Sequence, residues 1–404
     1  MSALSNFNFS GKKALIRVDF NVPLDKTFTI TDDTRIKAAL PTINHVLDHG
    51  GAVILFSHLG RPEAKLLPDG SIDKAKFTIN HLTNHLAASL KRPVQFCDEL
   101  RGEKLRKAAA DLKPGEVLLM ENTRFEPGEE KCDPVLSQEW ASLADLYIND
   151  AFGTAHRAHA SNVGVSNCFP SDKKSFGFLM DSEVTNARKV MDNPQRPFTA
   201  IIGGAKVSDK IMLIERFIDI ADQILIGGGM AYTFIKAMGG EIGKSLVELD
   251  KLELAQSLIE KAKSTGKLLL LPIDSVIADA FADAANQQIC NSNAIPEGWM
   301  GLDIDPIARE QYKEVLSKSK TILWNGPMGV FEMPSFAKGT LAVANAVADS
   351  TKNGAYSLIG GGDSVAAINQ AGLDDEVSYV STGGGAMLEM LEGKSLPGIK
   401  AIEG

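Results

Sequence analysis

The chain has 404 residues, of which 44% are hydrophobic and 23% charged, with a formal net charge of −9. That length exceeds what one hydrophobic core sustains, so two domains are expected. The acidic balance excludes a general nucleic-acid or anionic-membrane binder, and no apolar run approaches membrane-spanning length.

Ala14-Leu-Ile-Arg-Val18 reads as a strand, and residues 35–47 as a helix interrupted near its start by Pro41. Ala52-Val-Ile-Leu-Phe56 and Val117-Leu-Leu-Met120 are buried-type strands. A helical pattern fills residues 78–90, and an apolar run over 143–148 leads into Asn149-Asp150. Such alternation implies a parallel sheet with helices on both faces. Residues 181–197 are polar and helical and end in Asn193-Pro-Gln-Arg-Pro197. This stretch reads as an interdomain connector or as a long surface helix within one domain.

Beyond it the alternation restarts with Phe198-Thr-Ala-Ile-Ile202, Gln223-Ile-Leu-Ile226, Leu268-Leu-Leu-Leu271 and Thr321-Ile-Leu-Trp324. The last two units are strand–turn–helix patterns. In one, Ala355-Tyr-Ser-Leu-Ile359 runs into Gly360-Gly-Gly-Asp-Ser364; in the other, Val377-Ser-Tyr-Val-Ser381 runs into Thr382-Gly-Gly-Gly-Ala386. Four strands of this half, counting those before Gly203-Gly204 and Gly227-Gly-Gly229, end in glycine turns. Bare N–H groups at a helix N-terminus bind anions, because the first donors are unpaired and the dipole is positive there. Turns of this kind at the C-terminal ends of parallel strands point to nucleotide binding.

Two other patterns fail. Gly239-Gly-Glu-Ile-Gly243-Lys244-Ser245 has one residue too few between its glycines for a P-loop, and no dinucleotide fingerprint follows the first strand. His156-Arg-Ala-His159 has no accompanying ligand set for a metal, so hydrogen bonding or anion contact is the better reading.

The first half carries its polar residues where strands end. Asp19 and Asn21 follow the first strand, His58 and Arg61 the second, Arg124 the run ending at Met120, and His156 and Arg157 the run ending near Ile148. Arg35 opens a helix after Thr31-Asp-Asp-Thr34, a stretch of N-cap types. Eight of the twelve arginines lie in residues 1–170. Guanidinium groups chelate phosphate and carboxylate, so several at one sheet edge make a clamp for a small polyanion.

The runs Arg17-Val-Asp-Phe-Asn-Val-Pro23, Asp32-Asp-Thr-Arg-Ile36, Ser57-His-Leu-Gly-Arg-Pro62, Asn149-Asp-Ala-Phe-Gly-Thr-Ala-His-Arg-Ala-His159, Gly203-Gly-Ala-Lys-Val-Ser-Asp-Lys210, Trp324-Asn-Gly-Pro327, Gly360-Gly-Gly-Asp-Ser364 and Ser381-Thr-Gly-Gly-Gly-Ala386 together resemble phosphoglycerate kinase. They stand in that family's order over essentially the whole chain. The resemblance implies two Rossmann-like lobes joined by a hinge helix: a phosphoglycerate lobe over 1–175, a connector over 176–197, a nucleotide lobe over 198–388, and a tail over 389–404 returning to the first lobe. It also implies reversible phosphoryl transfer between 1,3-bisphosphoglycerate and ADP. Asp19, Asn21, Arg35, His58, Arg61, Arg124 and Arg157 are then expected to hold the phosphoglycerate. Lys206 and Lys210 are expected on the nucleotide phosphates, and Asp363 on the Mg²⁺ of the nucleotide. Gly228, Gly301, Leu302, Asn325, Pro327 and Glu332 are expected to shape the adenosine site, with Gly361, Gly362 and Ser364 alongside.

Phosphoryl transfer asks for positioning and charge neutralisation more than covalent work. Arg35, Lys206 and the helix starts at Gly361-Gly362 and Gly384-Gly385 are the expected donors to the charge that spreads over the equatorial oxygens. A binding module that has lost catalysis is disfavoured by the completeness of this set, and a nicotinamide-dependent oxidoreductase by the absent fingerprint. Four scattered cysteines and no signal-peptide pattern fit a cytoplasmic protein. Small-molecule partners and a monomer are expected.

Overall fold

The computed structural model describes residues 3–404. The chain divides into two compact units. One comprises the residues up to Val184 together with Ser395–Gly404, and the other Thr185–Lys394.

The first unit is built on strands β1 (Lys13–Val18), β2 (Ala52–Phe56), β3 (Val94–Cys97), β4 (Val117–Met120), β5 (Leu146–Asp150) and β6 (Lys174–Phe176). They form one all-parallel sheet in the order β3-β4-β2-β1-β5-β6. Successive residues of a strand face opposite sides, so the apolar runs serve two cores. Ile16, Val53, Leu55 and Leu119 pack with Ile36, Ile43 and Leu86, whereas Leu15, Ile54, Phe56 and Met120 pack with Leu105, Leu136 and Trp140. Helices therefore cover both faces.

The helix Thr34–Asp48 runs through Pro41 without a break, contrary to the interruption expected from sequence. Pro41 and Lys37 are both exposed, so the helical hydrogen bond that Pro41 cannot make is lost on the solvent side, where a free carbonyl can be hydrated. Residues 78–90 are a 3₁₀ turn, Ile79–Leu82, followed by the α-helix Thr83–Leu90. The C-terminal helix Pro397–Glu403 packs within this unit: Gly398 N–H donates to Ala155 C=O and Ser166 Oγ to Ala401 C=O, each at 2.8 Å.

The second unit contains β7 (Phe198–Ile202), β8 (Gln223–Ile226), β9 (Glu241–Ile242), β10 (Leu268–Leu270), β11 (Asp274–Ala278), β12 (Gln287–Asn291), β13 (Ala294–Ile295), β14 (Met300–Ile304), β15 (Thr321–Asn325), β16 (Tyr356–Ile359) and β17 (Tyr379–Val380). Its main sheet is parallel in the order β10-β8-β7-β15-β16-β17. On one face Ile201, Ile322 and Trp324 pack with Tyr312 and Val347; on the other Phe198 meets Phe217 edge-on at 5.8 Å. An antiparallel sheet, β12-β11-β14, and the pair β13-β9 are additions the sequence reading did not contain. The strand expected over 377–381 is only two residues long.

The boundary between units falls inside the helix Phe178–Met191. Its start is tied to the first unit, where Phe178 N–H donates to Thr42 Oγ1 at 2.9 Å and Met180 N–H to Asp150 Oδ1 at 3.1 Å. Its later part belongs to the second, where the Tyr356 hydroxyl donates to Asn186 Oδ1 at 2.5 Å and the Lys189 ammonium lies 3.7 Å from the centre of the Tyr356 ring.

Candidate functional site

Parallel strands all end on one edge, so the loops after β1, β2, β4 and β5 of the first unit converge. Asp19 Oδ2 accepts from Arg35 Nη1 at 3.0 Å, and the same nitrogen donates to Asn21 C=O at 3.2 Å. Asn21 Oδ1 accepts the Gly60 N–H at 2.8 Å, and Gly60 C=O accepts from Arg124 Nη1 at 2.6 Å. Asp19, Asn21, Arg35 and Arg124 thus form one hydrogen-bonded chain drawn from three strand ends and a helix start. Arg124 is buried, which lowers its pKa, while Glu130 opposes the shift from 3.4 Å without hydrogen-bond alignment.

His58 is also buried. Desolvation first, then the charges of Arg17, Arg124 and Arg35, hold its pKa well below the ordinary imidazole value, so the ring is neutral at neutral pH. Arg157 Nε donates to His156 Nε2 at 3.2 Å, and its charge bears on Arg124 and His159. Arg61 is exposed, and among the described residues no hydrogen bond or ion pair ties its side chain to this group.

Sequence reasoning passed over four residues here. Arg17, 1% exposed, lies in the middle of the group, and its signal was available: a lone arginine inside the apolar strand Ala14-Leu-Ile-Arg-Val18. Asn122 joins the loops that carry His58 and Arg124, with Oδ1 accepting the Leu59 N–H at 3.2 Å and the Arg124 N–H at 3.1 Å. Glu129 and Ser161, both fully buried, have no local pattern that marks them.

In the second unit a cavity of about 540 Å³ lies at the ends of β7, β8 and β15. Of the expected residues, Gly228, Gly301, Leu302, Pro327, Glu332 and Asp363 line it. Tyr232, Leu246, Phe281, Met300 and Val330, which sequence reasoning did not single out, add apolar side chains to its wall. Gly228 has φ +70°, and a side chain there would bring Cβ to 2.7 Å from Gly204 N and 3.0 Å from Pro327 O, so the turn admits only glycine.

Lys210, Asn325, Gly361, Gly362 and Ser364 lie behind or beside this cavity rather than on its wall. The Lys210 ammonium donates to Asn325 Oδ1, and Asn325 Nδ2 donates to Gly360 C=O at 2.9 Å. Ser364 Oγ accepts the Gly326 N–H at 2.5 Å. These two buried side chains brace the β15 and β16 turns. Burial lowers the Lys210 pKa, with Asp363 the first charge opposing. Lys206 is exposed, with no side-chain partner among the described residues.

The helix Gly362–Gln370 begins after Gly361, at φ +90°, and its first intrahelical-type bond is Val365 N–H to Gly361 C=O. The N–H groups of Gly362, Asp363 and Ser364 donate to no described residue. Gly385 opens the shorter helix Gly385–Leu391 after Gly384, at φ +48°, but there the Ala386 N–H donates to Gly383 C=O at 3.0 Å. Among the described residues no three His, Cys, Asp or Glu groups converge as a metal cage, and no helix is long and apolar enough to cross a membrane.

Each of the two units is thus an α/β unit on a parallel sheet, one with an arginine-rich hydrogen-bonded cluster at its strand ends and the other with a glycine-lined cavity near glycine-opened helix starts. The family model for phosphoglycerate kinase matches residues 4–394. A phosphoglycerate kinase from Herpetosiphon aurantiacus is 52% identical over 394 residues, covering 98% of this chain and 97% of the relative. One from Porphyromonas gingivalis is 49% identical over 424 residues, covering 99% and 100%. Among solved structures, phosphoglycerate kinase from Coxiella burnetii superposes with a TM-score of 0.89 at 41% identity, covering 99% of this chain and 98% of that one. The enzyme from Pyrococcus horikoshii gives 0.81 at 31% identity, covering 100% and 98%. The chain belongs to the phosphoglycerate kinase family, and is therefore a kinase whose phosphoryl acceptor is a carboxyl group.

Proposed function

We propose that this chain moves the acyl phosphate of 1,3-bisphosphoglycerate to ADP, reversibly, giving 3-phosphoglycerate and ATP as a step of glycolysis and gluconeogenesis. The observation that carries the reading is the chain of hydrogen bonds joining Asp19, Asn21, Arg35 and Arg124, beside neutral His58, in a protein of this family. Such a group neutralises a small polyanion while its members are already oriented, so binding costs little side-chain entropy. We assign the phosphoglycerate to Asp19, Asn21, Arg35, His58, Arg61, Arg124 and Arg157.

We assign the nucleotide to the second unit. Its base lies in the cavity lined by Gly228, Gly301, Leu302, Pro327 and Glu332, and its phosphates lie toward Lys206, Lys210 and the helix starts at Gly362 and Gly385. Asp363, exposed in the first turn of its helix, is the carboxylate suited to the nucleotide's Mg²⁺, a cation that takes one or two carboxylates and completes its shell with phosphate oxygens and water. When bound, that ion would neutralise phosphate charge. Arg35, Lys206 and the N–H groups of Gly362 and Gly385 would meet the charge that develops on the transferred group. No general base is needed toward ATP, because the attacking oxygen of ADP is already anionic.

We further propose in-line transfer after a hinge motion centred on 176–197. That placement is supported by a helix whose start is bonded to one unit and whose later part is bonded to the other. Scattering profiles unchanged by both substrates would reject it. A monomer in the cytoplasm completes the proposal, in keeping with four free cysteines. The decisive assay mixes the protein with 3-phosphoglycerate, Mg-ATP, glyceraldehyde-phosphate dehydrogenase and NADH. Absence of NADH consumption defeats the reading.

A further inference from the structure

Behind the cationic edge of the first unit lies a buried relay that ends on His58. Glu129, fully buried, accepts from Ser161 twice: Oε1 from the hydroxyl at 2.6 Å and Oε2 from the N–H at 2.8 Å. The single hydroxyl proton of Ser161 is thereby committed, so its oxygen turns a lone pair to Arg17 Nε at 2.7 Å. Arg17 Nη1 donates to Val18 C=O, and Nη2 lies 3.3 Å from His58 Nδ1. Ser161 itself is fixed by the π-turn Ala160–Gly164, whose carbonyls at Ser161 and Asn162 accept from the Tyr147 hydroxyl at 3.0 and 3.2 Å.

A guanidinium only donates, so Nδ1 of His58 must be the acceptor in the Arg17 contact. The ring is neutral, for the reasons of burial and neighbouring arginines given above. A neutral imidazole that accepts at Nδ1 carries its proton at Nε2. Nε2 makes no hydrogen bond among the described residues, so it is the ring nitrogen left for a ligand.

We propose that Glu129, Ser161 and Arg17 are positioning residues that hold His58 as the Nε2–H tautomer and offer that proton to the anionic substrate. The arrangement lets a buried histidine donate to an anion without adding a further buried charge to the arginine cluster. It also supplies a role for Glu129, the counter-charge to Arg17 acting through Ser161. The inference rests on the assignment of phosphoglycerate to this edge.

The test is ¹⁵N NMR of the full chain labelled at histidine ring nitrogens, with His58→Gln identifying the resonances. In the unsubstituted protein Nδ1 should read as unprotonated and Nε2 as protonated. Ser161→Ala removes the acceptor of Arg17 Nε. It should mix the tautomers and raise KM for 3-phosphoglycerate about tenfold, the worth of one charge-assisted hydrogen bond, while KM for Mg-ATP stays unchanged. Glu129→Gln should act in the same direction where it folds, and Ser161→Ala decides the matter where it does not. A protonated Nδ1 in the unsubstituted protein, or a tautomer unmoved by Ser161→Ala, overturns the proposal. A protonated Nε2 together with an unchanged KM for 3-phosphoglycerate in His58→Ala upholds the relay and overturns the substrate assignment beneath it.

Discussion

At the edge of the first sheet the groups we assign to the ligand are side chains, among them Arg35, His58 and Arg124, each hydrogen-bonded to a residue of another element. At the edge of the second, besides Lys206, Lys210 and Asp363, the assigned groups include main chain: glycine turns and N–H groups at helix starts, with asparagine and serine bracing from behind. The two solutions place their demands differently. A side-chain clamp must offset rotamer entropy and mutual repulsion, so it needs a buried supporting network such as Glu129–Ser161. A main-chain cradle is rigid already, and its demand is steric: no Cβ where another backbone approaches.

The comparison breaks most sharply at the residues assigned to the transition state. Arg35→Ala and Lys206→Ala should each lower kcat by at least ~10², read in the coupled assay. If both retain near-normal turnover, the catalytic assignment is wrong. Gly228→Ala tests the steric half. It should destabilise the second unit by ~1–3 kcal/mol and weaken nucleotide binding, because the residue is forced to a positive φ against Gly204 and Pro327. Urea denaturation and nucleotide titration check this, and a stable protein of full affinity would contradict the cradle.

His58→Ala tests the side-chain half, with an expected rise of about tenfold in KM for 3-phosphoglycerate. An effect confined to ATP would reverse the assignment of the units.

The smallest effect is on pH dependence, where one buried group of each unit should act in opposite senses. Burial, then Arg17 and Arg124, push His159 down to about 4. The unfolded histidine takes up its proton first, near pH ~6.5, so this group's contribution to stability is present above that value and lost as pH falls toward 4. Burial pushes Asp303, on the wall of the second unit's cavity, up to about 7. There the folded state keeps its proton longer. Its contribution is complete below the unfolded value of ~3.9 and is lost as pH rises through 7. Urea denaturation across that range should give a stability-versus-pH slope that is more positive for Asp303→Asn than for the unsubstituted protein, and more negative for His159→Gln. Slopes unaffected by either substitution would remove the electrostatic contrast.

How much of this was legible depended on how local the cause was. β2, β4, β7 and β8 could be read directly, because strands of a parallel sheet covered on both faces are continuous apolar runs. The antiparallel β12 could not: its side chains are largely exposed and its sequence, Gln287-Gln-Ile-Cys-Asn291, is polar, so it is a strand only because β11 pairs with it. Pro41 reads as a helix break until the fold shows that it faces solvent. The glycine turns at the strand ends were legible, yet the division between cavity wall and brace was not. Asn325 and Ser364 stand in motifs beside Asp363, and only packing shows that they hold the turns while Asp363 lines the cavity.

By itself the amino-acid sequence determined the alternation of strand and helix, the family, and the residue types at each strand end, because these follow from periodicity and from motifs a few residues long. Tertiary structure alone decided which of those residues touch. Glu129 looks like one more surface acid in Glu126-Pro-Gly-Glu-Glu130 until folding carries Ser161, 32 positions away, onto its carboxylate and Arg17 onto Ser161. Hydrogen bonds of that range are set by where a sheet brings its loops, and no local pattern encodes them.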